Sequence, residues 1–404
     1  MELKTAQMAL GRLQRLACLC ISGAMRTTPT AAMEVILGLP PLNIFIEGEA
    51  MSACQRLIRT GLWKSRGAVI GHRRIKGQLE AEMPTFHHRS DYTIPSFNFE
   101  RNFEVLFPSR EDWTSHQEEL LPQDCMSCYT AGSRMNDRAG AGVHYSNCQG
   151  EEDQSILLGM YATVFQAEIY GILSCADRLR NYQSKDISIY SDSQAAIKAL
   201  ASPRITSCLV RECRMVVQRL AVHNNVRIIW IPGHSGIDGN EQSDQLAKEG
   251  SNMPYVGPEP VVGISSQAGK GAIKSWIRQQ HGISWQSTNG CRQSKELIGG
   301  PNPKVSNSLL NLSQQQLRMI VGLLTGHCGL NRHLAIMGVI PDPICALCGE
   351  EEETALHFLG QCMALSAIRH RIFGMDPLSP RDIRRITVTE LLGFIQASGR
   401  FDTE

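Results

Sequence analysis

The stretch CMSCYTAGSRMNDRAGAGVHYSNCQGEEDQSILLGMYATVFQAEIYGILSCADRL, residues 125–179, changes its period once. Cys125–Tyr129, Gly140–Asn147 and Ile156–Met160 are short runs of strand character, with Val143 and Tyr145 on one face of the second. Asn136–Arg138 supplies the turn between the first two. From Thr163 to Leu179 the spacing becomes helical, through Phe165, Ile169, Ile172, Leu173, Ala176 and Leu179. Three strands therefore precede any helix. The pattern continues with a strand at Ile187–Tyr190, helices at Ser193–Leu200 and Ser207–His223, a strand at Val226–Ile231 and a helix at Asn240–Glu249. A meander followed by alternating strands and helices predicts an α/β domain, a five-stranded mixed sheet with flanking helices.

Three acidic residues fall at telling places in this pattern. Glu168 lies on or beside the apolar stripe of its helix, where a carboxylate needs a partner or a metal; a Glu at the edge of a stripe is also simply solvated by its own length. Asp192 follows the strand Ile187–Tyr190, at the end where open α/β sheets bind ligands. As an alternative, Asp192 or Ser191 caps the next helix. Asp244 sits in the first turns of the last helix, where an acid also complements the helix dipole. Taken together, three acids from one helix, one strand end and one helix start can converge at one sheet edge. That is the arrangement for two hard cations about 4 Å apart on a phosphodiester.

The runs YTAGS (129–133), QAEIYGIL (166–173), IYSDSQAAIKAL (189–200) and WIPGHSGIDGNEQSDQLAKEG (230–250) resemble, in order and spacing, the successive motifs of the type-1 ribonuclease H domain of non-LTR retrotransposons. The resemblance covers roughly residues 123–252 and implies an RNase H-like fold and hydrolysis of the RNA strand of an RNA–DNA hybrid. It implies Glu168, Asp192 and Asp244 as Mg²⁺ ligands, and His234 as an aid to proton transfer or product release. Gly132, Ser133, Ser193, Gln194 and Asn240 would touch the hybrid backbone, in keeping with recognition through the 2′-hydroxyl. Arg211, Arg214 and Arg219 are open between phosphate contacts and solvated surface. The sequence departs from the family at Ala131, where the motif carries the Asp that bridges both metals. Asp124 and Asp137 are too far along the strand and turn to replace it. The resemblance therefore implies a hybrid endonuclease with an impaired two-metal site; the alternative is a non-catalytic nucleic-acid-binding remnant of the same polyprotein.

Charge adds little: 40 Lys+Arg stand against 39 Asp+Glu, so a nucleic-acid partner cannot be argued from global charge. The segment from Met1 to Leu79 has eleven basic residues against four acidic ones, a local net of +7. Residues 1–79 read as a helical segment, and their wording resembles the end of the reverse-transcriptase region in the same polyproteins. Residues 80–122 and 253–269 read as linkers. Residues 270–404 read as a helical C-terminal region, including a helix Ser313–Leu324 stopped at Thr325-Gly326-His327.

There are 14 cysteines, no signal peptide is expected, and no apolar run reaches bilayer length. An intracellular, reducing compartment follows, nucleus and cytoplasm undistinguished, with no membrane partner and an oligomeric state left open. Most cysteines are scattered among apolar residues, but Cys345, Cys348, His357 and Cys362 form C-x₂-C-x₈-H-x₄-C, a structural Zn²⁺ pattern. Glu350–Glu353 either orient the His or are a solvated run. This tail resembles the C-terminal zinc knuckle of those polyproteins, a nucleic-acid-binding element.

Overall fold

The computed structural model describes residues 4–62, 70–122, 125–147, 150–254, 257–258 and 261–401, which leaves Asp124 outside it. Helices α1 (Lys4–Ser22), α2 (Thr30–Leu37), α3 (Leu42–Arg59) and α4 (Ile70–Glu82) open the chain. Strands β1 (Ser96–Phe97) and β2 (Glu104–Leu106) and helices α5 (Arg110–Ser115) and α6 (Gln117–Leu120) follow. Next come β3 (Met126–Met135), β4 (Arg138–Asn147), β5 (Gly150–Gly159), α7 (Val164–Arg178) and β6 (Asp186–Ser191). Then come α8 (Gln194–Ala201), β7 (Arg204–Ile205), α9 (Cys208–Leu220), β8 (Asn225–Trp230) and α10 (Asp238–Asn252). The chain divides into two compact units, residues 50–273 and residues 1–49 with 274–404.

Among the described residues of the first of these, six strands form one mixed sheet in the order β2-β8-β6-β3-β4-β5. The meander β3–β4–β5 is antiparallel, and β6, β8 and β2 continue it in parallel with β3. The β3–β4 turn places Asn136 and Asp137 at φ 49° and 61°, a conformation these residue types tolerate. Thr163 starts α7 with a capping box, its hydroxyl accepting from Gln166 N while the Gln166 side chain accepts from Thr163 N.

The pleat separates two faces. Thr130 meets α7 at Gly171, whereas the next pair along, Ala131 and Gly142, faces α10. A Cβ at position 142 would lie 2.1 Å from Ser243 O, so only glycine lets α10 ride this close to β4. On the α7 side the core includes Cys128, Val143, Ile169, Ile172, Ile189, Ile197, Val217 and Ile228. A smaller cluster, Trp113, Tyr129, Tyr190, Ile229, Ile231 and Ile237, fills the opposite side.

The expected five strands are six, because residues 80–122, read as a linker, pack onto the sheet. β2 pairs in parallel with β8, Leu106 beside Ile229. Asp91 is buried and accepts from Leu209 N at 2.9 Å, the Ser207 hydroxyl at 2.8 Å and Gln166 Nε2 at 3.2 Å. Trp113 Nε1 donates to Trp230 O, and the Tyr190 hydroxyl to Leu120 O. A three-residue strand and single anchoring side chains are too short to register as a period.

In the other unit, α1 and α2 share a core with helices from the far end of the chain. These are α11 (Ser266–Ser287), α12 (Arg292–Leu297), α13 (Pro303–Leu310), α14 (Gln314–Thr325), α15 (Asn331–Ile336), α16 (Ser366–Phe373), α17 (Pro380–Ile383) and α18 (Val388–Ser398). Cys18, Met33, Ile36 and Leu37 lie in one cluster with Leu309, Leu317, Ile320, Phe358 and Phe394. Ser313 caps α14 through a second capping box and Gly326, at φ 74°, ends it, as the sequence predicts within a residue. Among the described residues no single helix is long and apolar enough to cross a membrane.

Candidate active site and metal centre

The parallel pairing of β3 with β6 ends at Thr130 beside Ser191, the last residue of β6, so Ala131 and Asp192 are the next residues along. Glu168 approaches from α7: a Cβ on Gly132 would lie 2.8 Å from Glu168 N and 3.0 Å from its Cγ. Its carboxyl is buried, and Oε2 has no hydrogen-bond partner. Burial pushes its pKa well up and the neighbouring Asp192 adds to this, against the Gly132 amide, with Asp244 also raising it and the Ser191 hydroxyl opposing.

Asp192 is not a helix cap. Ser193 takes that role, accepting from Ala196 N, and Ser191 Oγ accepts from Ser193 N, which leaves the Asp192 carboxylate free. The Asp192 main chain accepts from Trp230 Nε1, while a Cβ on Gly233 would lie 2.7 Å from its Oδ2. Burial raises Asp192, and Asp244 raises it further. Asp244 on α10 is raised by burial and lowered by His234, whose Nδ1 is 3.6 Å from Asp244 Oδ2. Although α7 and α10 cover opposite faces, Asp192 and Asp244 both raise Glu168 electrostatically, and Asp244 raises Asp192. A buried carboxyl with an orphaned oxygen beside two others is a donor set fitted to a hard cation, and Mg²⁺ suits it.

The remaining residues divide. His234 is exposed, at φ 54° in its loop, beside Asp244. Ser193 and Gln194 start α8 next to Asp192, with Gln194 exposed and accepting from Lys198 Nζ. Gly132 and Ser133 are half-buried at the end of β3's buried run. Asn240 is different: it is 1% exposed, and both side-chain amide atoms are buried without partners. Arg214 is 2% exposed and donates to the carbonyls of Ser202, Asn98 and Glu100, so it is a structural clasp and not a phosphate contact. Arg211 and Arg219 are exposed. Ala131 is buried at 1% exposure, and Asp137 is fully exposed in its turn beside Arg134, too remote to supply the missing oxygen.

Residues 123–252 match the family model for RNase H. The middle of the chain is an RNase H domain. Human Ribonuclease H1 is 24% identical over 159 residues, 36% of this chain and 55% of that protein. The Ribonuclease H of Schizosaccharomyces pombe is 25% identical over 174 residues, 39% and 62% of the two chains. The chain thus spans a little over half the length of these relatives. Among solved structures, RNase H1 of the halophilic archaeon Halobacterium salinarum is 23% identical, covering 31% of this chain and 96% of that one, with a TM-score of 0.26.

Around the RNase H carboxylates, sequence reasoning missed one network. His144 Nδ1 is 2.7 Å from Asp153 Oδ1, and Gln242 Nε2 donates to Asp153 Oδ2 at 2.9 Å, tying β4 and β5 to the α10 turn that precedes Asp244. No motif pairs these three residues; only the β4–β5 register, His144 beside Asp153, could have linked the first two.

Outside the RNase H domain, Cys345, Cys348, His357 and Cys362 place their ligand atoms within 4.8 Å of one another. Cys345 Sγ and Cys362 Sγ are 3.8 Å apart, and Cys348 Sγ and His357 Nε2 are 3.3 Å apart. A zinc tetrahedron has edges of about 3.8 Å between sulfurs and about 3.6 Å between sulfur and nitrogen, so the set fits Zn²⁺. His357 Nδ1 faces Glu351 Oε2 at 3.2 Å, which leaves Nε2 for the metal. Burial acts against it, yet the Glu350 and Glu351 amides bring the Cys348 thiol down to about 7, favouring the ligating thiolate.

Proposed function

We propose that the RNase H domain binds RNA–DNA hybrid and cleaves its RNA strand endonucleolytically at the site of Glu168, Asp192 and Asp244, with a rate limited by Ala131. The supporting observation is Glu168 Oε2, buried and unpartnered, in a carboxyl that Asp192 and Asp244 both raise. Mg²⁺ held there would activate a water and stabilise the leaving oxygen. Glu168 and Asp192, fixed by helix and strand, would hold that cation beside β3 and β6. Ser193 and Gln194 meet the backbone beside it. His234, exposed and 3.6 Å from Asp244, takes or delivers a proton at its imidazole. At Ala131 a methyl group stands where a bridging carboxylate would offset repulsion between two cations.

The C-terminal cluster, in this reading, is a structural zinc knuckle, and the chain derives from a non-LTR retrotransposon polyprotein whose motif order it repeats. Ala131 specifically favours a second reading, a binding remnant that retains hybrid affinity without cleavage. The test is cleavage of a labelled RNA–DNA hybrid by the unmodified protein and by Ala131→Asp, in Mg²⁺ and in Mn²⁺. Ala131→Asp should cut on the order of a thousandfold faster, the scale of one preorganised electrostatic contact. Equal rates would mean that another group supplies the oxygen. Hybrid binding without cleavage by either protein would favour the remnant.

A further inference from the structure

The segment Tyr92–Phe107 presents large apolar side chains to solvent from a backbone that is firmly held. Phe99 is 81% exposed and Phe97 64%. Their backbone is anchored on both sides: Asn98 N donates to Pro203 O at 2.8 Å, and the buried Arg214 donates to Asn98 O and Glu100 O at 3.0 and 2.9 Å. Burying a Phe side chain stabilises a fold, so rigid outward display forgoes stability that a loose loop could recover by folding inward.

Cations accompany the rings. Phe97 is the strand partner of Arg204, which is exposed. Lys198 Nζ is 5.6 Å from the centre of the Phe107 ring, and Arg59 stands 4.3 Å over Tyr92. The segment also has a direction. β2 runs parallel to β8 and β6, so Phe107, the residue after β2, emerges at the same sheet end as Asp192. Lys198, beside Phe107, also holds Gln194 in the first turn of α8. From there the eight residues of α8 span about 12 Å to the β1–β7 pair that holds Phe97 and Arg204.

We propose that Phe97, Phe99 and Phe107, with Lys198 and Arg204, form a stacking track for single-stranded nucleic acid leading away from the carboxylate site along α8. Exposed aromatic faces interleaved with cations suit bases and phosphates in alternation. A protein partner would not require cations beside Phe97 and Phe107 or a start at the carboxylates. The track rests on the reading that the carboxylate site receives nucleic acid, and it would take an unpaired flank of that substrate.

The test is fluorescence anisotropy of the full chain with a labelled oligothymidylate, and separately with a blunt RNA–DNA hybrid, across salt concentrations. Phe97→Ala with Phe99→Ala should weaken oligothymidylate binding by about tenfold or more, leave its salt slope unchanged and leave the melting temperature unchanged. Lys198→Ala with Arg204→Ala should reduce that slope by about 1.4. Undiminished oligothymidylate binding by the Phe pair, or none by the unmodified protein, overturns the track. The blunt hybrid reports the carboxylate site alone: if it fails to bind while the Phe pair still governs the oligothymidylate, the track stands and the hybrid reading falls.

Discussion

At position 131 strand β3 delivers a methyl group into a buried corner beside Asp192. A carboxylate placed there would join three others already raised by burial, Glu168 and Asp192 also by their acidic neighbours. Ala131→Asp should therefore melt below the unmodified protein in chelator and gain more from Mg²⁺, which thermal melts with and without the metal will read. Arg214 carries the opposite lesson, that a charged residue on a helix face can be wholly structural. Arg214→Met removes a cationic donor from three carbonyls and should destabilise the RNase H domain by about 2–3 kcal/mol in urea titrations, with hybrid affinity per folded molecule unchanged. Spacing marked Glu168, Asp192 and Asp244 but gave Arg214 no distinction from Arg211, because burial depends on what packs over a face.

Among the elements, the segment from Cys345 to Cys362, with the π turn His357–Gln361 in it, brings three thiols and an imidazole together. Cys345 N donates to Glu351 O and Gly349 N to Cys345 O, a tight knuckle that apposes two thiols and an imidazole. Unmetallated, three thiols and a buried imidazole fill space that apolar side chains would otherwise occupy. The full chain should contain about one equivalent of zinc by elemental analysis, and Cys362→Ser should lose it. A strong chelator should lower the melting temperature of the unmodified chain and leave that of Cys362→Ser unmoved; equal melts with and without chelator in the unmodified chain would remove the site. The ligand spacing was fully legible, since a knuckle is local. The β2 strand was not, since its three residues gain strand character only from β8 beside them.

For the whole molecule, the first helices and the last share one core, Met33 and Leu37 lying with Leu317 and Phe394. A fragment of residues 274–404 alone should expose that apolar surface, bind a hydrophobic dye and melt without a sharp transition. Supplying residues 1–49 should restore a cooperative melt, which calorimetry or circular dichroism will follow. A cooperative melt of the fragment by itself would show that α1 and α2 are dispensable to it.

The sequence by itself determined the strand–helix order, the capping of α7 and α14, the three carboxylates and the Cys₃His set. Each of these is written in local periodicity or in motif spacing, which survive without knowledge of neighbours. Only the tertiary structure decided that Ser193 and not Asp192 caps α8, that Asn240 is buried, that Arg214 is a clasp, and that residues 80–122 complete the sheet. Those outcomes depend on burial and on hydrogen bonds between residues far apart in the chain. Asp91 is the plainest case: an acid in an aperiodic stretch, it meets Ser207 and Leu209 only after more than a hundred intervening residues have folded.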